Sequence, residues 1–165
     1  PDEDILDSGL ISKAYLLARL VVALGGRAAE MVVFGPGEVT QGASGDLEMV
    51  SRICREMVTR YGFSNLGPVA FEADGGEVFL GRDWLRSEPH YSRQTGNRID
   101  QQVRDLANGA LDRAVAMLLP RRELMDQLVT LLIEQETLEG DAFRALVATY
   151  EASGKTNVQA AQVGL

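Results

Sequence analysis

In the segment 39–50, "VTQGASGDLEMV", a polar, glycine-broken stretch leads into a helical pattern, and Asp46 stands at the junction. An aspartate there has two readings. It can complement the partial positive charge of a helix start and accept from free N–H groups, or it can be aimed at a ligand such as a metal ion. The chain has one histidine and one cysteine, so a metal held by Asp46 would find few other ligands here. "GASGD" lacks the lysine and the spacing of a phosphate loop, which argues against a nucleotide site. Glu30 lies beside Arg27, and taken alone the two read as a surface ion pair worth roughly 0–1 kcal/mol. His90 sits in a proline-bearing loop with no partner histidine and reads as a solvated loop residue. Cys54, within "SRICREMV", cannot form an internal disulfide and has no histidine near it in sequence, so it reads as a reduced structural thiol.

These residues need elements to position them. Residues 8–34 carry Leu10, Ala14, Leu17, Leu20, Val21 and Leu24 at helical spacing, with Ser12 as N-cap. Gly25 and Gly26 should weaken a helix by roughly 1 kcal/mol each. Either the helix stops there or a neighbouring element packs so closely that only glycine fits, and the resumption of helical character in "RAAEMVVFG" favours close packing. A turn-rich loop follows over 35–43. From Ser44 to Tyr61, Leu47, Val50, Ile53, Cys54, Met57 and Val58 recur every three or four residues and predict an amphipathic helix closed by Gly62. Two β-prone runs, Val69–Phe71 and Val78–Leu80, predict a small hairpin or flap near 67–81. Trp84 follows, able to cover a core or anchor an interface.

Ser92 caps a long predicted helix striped by Ile99, Val103, Leu106, Ala110, Ala114 and Met117. Pro120 should open a further helix over 120–135, which presents Leu124, Leu128, Leu131 and Leu132. A last short helix follows Thr137, and residues 151–165 are expected to form a disordered tail. The fold class is therefore mainly α: a helical bundle with a minor β element, in two lobes joined near 62–92.

At 165 residues the chain fits one domain with a real core. Its net charge of −8, with 14 arginines and 2 lysines on the positive side, argues against nucleic acid as a partner. Arginine pairs bidentately with carboxylates, which suits ion-paired helix faces or a subunit interface. No apolar run approaches the ~18 residues of a membrane span. The opening "PDEDILDSG" is not a signal peptide and reads as a cut through a longer polypeptide.

Four blocks, "LGGRAAEMVVFG", "VTQGASGDLEMVSRICREMVTRYGFSNLGPVAF", "EVFLGRD" and "ETLEGDAFRALV", occur in the order and spacing of FtsH-type ATP-dependent zinc metalloproteases. The chain resembles the C-terminal portion of their M41 peptidase domain from about residue 10 to 150. "GEVFLGRDW" and "LIEQETLEGD" resemble the cyanobacterial branch most. The resemblance implies a parent with a membrane anchor, an ATPase module that uses ATP, and a zinc peptidase part, assembled as a homo- or hetero-hexamer on a plasma or thylakoid membrane. Its partners would be membrane and damaged proteins as substrates.

In that family an HExxH helix supplies two zinc-binding histidines and the general-base glutamate. The chain has no such motif, so the resemblance implies that it lies upstream of Pro1. The family's third zinc ligand, the aspartate of T-x-G-A-x-x-D, falls on Asp46. A carboxylate is an acceptable third ligand in hydrolytic zinc sites, which keep one position for water. The family glutamate of "GGRAAE" falls on Glu30, and the resemblance implies that it accepts a hydrogen bond from a ligand histidine and fixes its tautomer. Gln41 and Met31 depart from the family pattern, but neither is an implied ligand. The rival reading is a non-catalytic assembly module or pseudo-peptidase, which would have no use for Asp46.

Overall fold

The computed structural model describes residues 11–72 and 91–154. The chain divides into two compact units. One comprises residues 1–24 and 41–111, the other residues 25–40 and 112–165.

In the first unit, α1 (Lys13–Ala23) starts where the Ser12 hydroxyl accepts the Tyr15 amide at 3.1 Å, as the sequence predicts. It turns Leu16 and Leu20 inward, with Leu24 just past its end. Helix α3 (Ser44–Thr59) lies against α1 and answers with Val50, Ile53, Cys54 and Met57. Ala110 of α4 (Arg93–Leu118) completes this core, and Val103, Leu106, Ala107 and Leu111 pack around it. The apolar stripes of three helices thus meet at their helical period. Ser92 caps α4, its hydroxyl accepting the Thr95 amide at 3.2 Å.

Past α3 the chain turns back sharply. Gly62 adopts φ 63°, and a Cβ there would lie 2.9 Å from the Pro68 Cα, so both the torsion and the space require glycine. The amide of Phe71 donates to the Thr59 carbonyl at 2.7 Å. Residues 66–72 form no strand. The second β-prone run, 78–80, lies outside the described residues, as do His90 and Trp84.

In the second unit, α2 (Gly25–Phe34) buries Ala28. Gly35, at φ 94°, reverses the chain into a short 3-10 turn at Pro36–Glu38. Helix α5 (Arg122–Gln135) follows a proline-led 3-10 turn over Leu119–Arg121, and α6 is Gly140–Ala152. Leu124 and Tyr150 are buried, and the Tyr150 hydroxyl donates to the Pro120 carbonyl at 3.4 Å. Arg121 bridges Glu151 at 3.1 Å.

Four expectations change. The helix predicted through 8–34 breaks at Leu24, and an added Cβ at Gly25 or Gly26 meets nothing within 4 Å, so close packing is not what these glycines serve. They stand at a helix start, where the first amides lack intrahelical acceptors and propensity matters less. The two units divide within α4 and on either side of residues 25–40, not near 62–92, because contacts rather than composition set the boundary. Of the expected stripe on α5, only Leu124 is buried, and Leu132 is 45% exposed. Helix α6 runs two residues into the expected tail, to Ala152. Residues 155–165 lie outside the described residues.

Candidate functional site

Asp46 occupies the first turn of α3. Ala43 at the N-cap offers no side-chain acceptor, so Asp46 is the acidic group that complements the helix dipole. It is exposed and makes no hydrogen bond or ion pair among the described residues. Its position is fixed from below. Val50, Ile53, Cys54 and Met57 seat the helix in the core of the first unit, so the carboxylate projects from a rigid element without being tied by its own oxygens.

Glu30 is held in the opposite way. Its Oε2 accepts the Thr40 amide at 2.8 Å, and its Oε1 accepts the Thr40 hydroxyl, also at 2.8 Å. Both residues belong to the second unit. The amide and then the hydroxyl of Thr40 hold the Glu30 carboxyl below the usual carboxylate range. Partial desolvation opposes them, and the charge of Arg27 adds a smaller push downward. No ion pair within 4 Å joins Glu30 to Arg27, so the surface-pair reading gives way to a loop contact.

The turn that brings Thr40 to Glu30 is itself anchored. Gly35 reverses the chain, and the Glu38 amide donates back to the Gly35 carbonyl at 3.2 Å. Arg122 Nη1 donates to the carbonyls of Val32 and Val33 at 3.0 and 3.3 Å, satisfying acceptors in the last turn of α2. Asp126 takes the Arg122 Nε in both carboxylate oxygens, at 3.0 and 3.2 Å.

A second polar cluster lies in the first unit. Glu72 Oε1 accepts Arg55 Nη2 at 2.8 Å, and its Oε2 accepts the Thr59 hydroxyl at 3.1 Å. Tyr91 Oη accepts from the same guanidinium at 3.2 Å and donates to Glu72 at 3.4 Å. Tyr91 also packs edge-on against Phe71. Burial alone would raise Glu72, but the hydrogen bond and charge of Arg55, with Thr59 and Tyr91, outweigh it and hold the carboxyl low. Neither the Glu30–Thr40 contact nor this cluster is legible in a helical period, since the partners stand 10 to 36 residues apart.

Cys54 is fully buried, and desolvation pushes its thiol up to about 11. That fits the structural role read from the sequence and no nucleophilic one. A cavity of about 420 Å³ in the first unit is lined by Leu16, Ile53, Tyr61 and Phe63 with Arg19 and Arg52. Asp46 is not among its lining residues.

Zinc in a hydrolase needs three protein ligands. No group of three metal-ligating side chains exists among the described residues, and the whole sequence holds a single histidine.

The model of Peptidase family M41 matches residues 1–146, so the chain belongs to that family. Among relatives, it is 46% identical over 153 residues to the ATP-dependent zinc metalloprotease FtsH 3 of Synechocystis sp., covering 92% of this chain and 25% of that protein. It is 43% identical over 159 residues to the ATP-dependent zinc metalloprotease FtsH of Trieres chinensis, covering 96% and 24%. With the chloroplastic ATP-dependent zinc metalloprotease FTSH 1 of Oryza sativa it shares 44% over 147 residues, covering 88% and 21%. The chain spans about a quarter of the length of these relatives.

Proposed function

We propose that this chain is the C-terminal portion, over residues 1–150, of the peptidase domain of an ATP-dependent, membrane-anchored zinc metallopeptidase that degrades membrane and damaged proteins as a hexamer. The family match and the names of the relatives support the protease, the zinc and the ATP. No helix among the described residues is long and apolar enough to cross a membrane.

In this reading Asp46 supplies one zinc ligand, and two histidines outside this sequence supply the others. Zinc, when bound, would lower the pKa of a water and polarise the scissile carbonyl. The chain's own contribution is placement: α3 carries the Asp46 carboxylate on a helix seated in a core, with its oxygens left available. Glu30 holds a charged carboxylate ready to accept a further hydrogen bond. The observation that carries the reading is the uncommitted, exposed state of Asp46 in a chain of this family.

Replacing Asp46 by Ala in the full-length protein tests it. Loss of stoichiometric zinc and of proteolysis, with an unchanged circular dichroism spectrum, is the expected result; retained zinc would refute the ligand role. The isolated 165-residue chain should bind zinc weakly and hydrolyse no peptide, and calorimetry showing tight stoichiometric binding would contradict this. A second reading, a non-catalytic assembly module, draws on Val129 and Ile133, which are 54% and 76% exposed on one face of α5. A degenerate histidine motif upstream of Pro1 would decide for it, and an intact one for the enzyme.

A further inference from the structure

We infer that Thr40 is a positioning residue: by donating both its amide and its hydroxyl to Glu30, it fixes the direction from which that carboxylate can accept a further hydrogen bond. Its consequence for proteolysis rests on the function proposed above; the contact itself does not. A free glutamate on a helix surface samples several rotamers, and its carboxylate rotates broadly about the last bond. Here each oxygen is occupied once, by donors on a single residue, both at 2.8 Å. An ionised carboxylate has about four lone-pair sites. Two remain, and their directions are set by the two that are filled.

The elements behind Thr40 make the arrangement stiff. Gly35 at φ 94° and the 3-10 turn Pro36–Glu38 return the chain toward α2 over five residues, and Val39 is extended. Arg122 holds the Val32 and Val33 carbonyls, so the end of α2 that launches this turn is pinned by a side chain some ninety positions later. Asp126 in turn holds Arg122. Glu30, the turn and Thr40 therefore form one braced unit. Valine at position 40 would keep the shape and the amide while removing one of the two donors. Serine would keep both.

The test uses the full-length protein. Hydrogen–deuterium exchange of peptides covering 36–43 should show a protected Thr40 amide, and Glu30→Ala should speed its exchange about tenfold or more. Thr40→Val should lose zinc to a chelator about tenfold faster than wild type, the scale on which groups behind metal ligands act, while Thr40→Ser restores wild-type retention. Unchanged Thr40 exchange in Glu30→Ala would overturn the inference, as would wild-type zinc retention in Thr40→Val. Asp46→Asn, run in parallel, judges the metal reading separately: its zinc retention bears on Asp46, whereas the Thr40 exchange reports the contact whatever the metal does.

Discussion

Asp46 and Glu72 are both carboxylates of the first unit, and they are held by different means. Glu72 is gripped by Arg55, Thr59 and Tyr91 through its own oxygens. Asp46 is gripped by nothing among the described residues and owes its position to a helix whose far side is buried. Oxygens spent on neighbours contribute to stability and are lost to other partners. Oxygens left open contribute little to stability and can serve a ligand. The contrast separates a carboxylate that helps hold this unit together from one whose oxygens are left open among the described residues.

The largest way to disturb the contrast is to remove the seat of α3. Leu20→Ala empties a fully buried position in the core shared by α1 and α3, and chemical denaturation should report a loss of about 2–5 kcal/mol. Since Asp46 relies on that seat alone, the same variant in the full-length protein should also weaken zinc retention. Gly62→Ala comes next. A positive φ and a 2.9 Å approach to the Pro68 Cα together should cost about 1–3 kcal/mol, seen as a lower midpoint in urea.

Acidification then addresses the gripped carboxylates. The folded-state pKa of Glu72 is depressed, so its contribution is complete above the unfolded value near ~4.3 and disappears as pH falls through the lower folded value. Glu30 behaves with the same sign. Stability should decline below about pH 4.5, and Glu72→Gln should flatten that limb of the pH–stability curve. The partners are substantially exposed, which keeps the effect modest. Asp46→Asn is expected to do least, within about 0.5–1 kcal/mol by thermal denaturation, because it removes only a dipole complement. A loss well beyond that would mean Asp46 is a structural residue after all, and the comparison would collapse.

Much of the scaffold was legible from residue order. Ser12 and Ser92 cap the helices predicted to start there, and the stripe Val50, Ile53, Cys54 and Met57 is the buried face of α3. These features are local or periodic, and a single strand of sequence displays both. Gly25 and Gly26 misled because glycine marks equally a close approach and a helix boundary, and only the surrounding space distinguishes them. The lobe boundary was placed at a composition change, whereas contacts divide the chain elsewhere. Asp46 stands out through the motif in which it lies; that it has no partner among the described residues is a property of space. Thr40 lay in the same motif without any sign of its role, because the acceptor it meets is ten residues earlier and across a turn.

The sealed thiol of Cys54 has a practical consequence. With a pKa of about 11 it is ionised at neutral pH to about one part in ten thousand, and the sequence holds no other cysteine. A cysteine introduced beside Asp46, or on the exposed side of α5, would therefore be the thiol that takes a maleimide dye or spin label. The molecule is ready for distance spectroscopy without first being stripped of its native sulfhydryl.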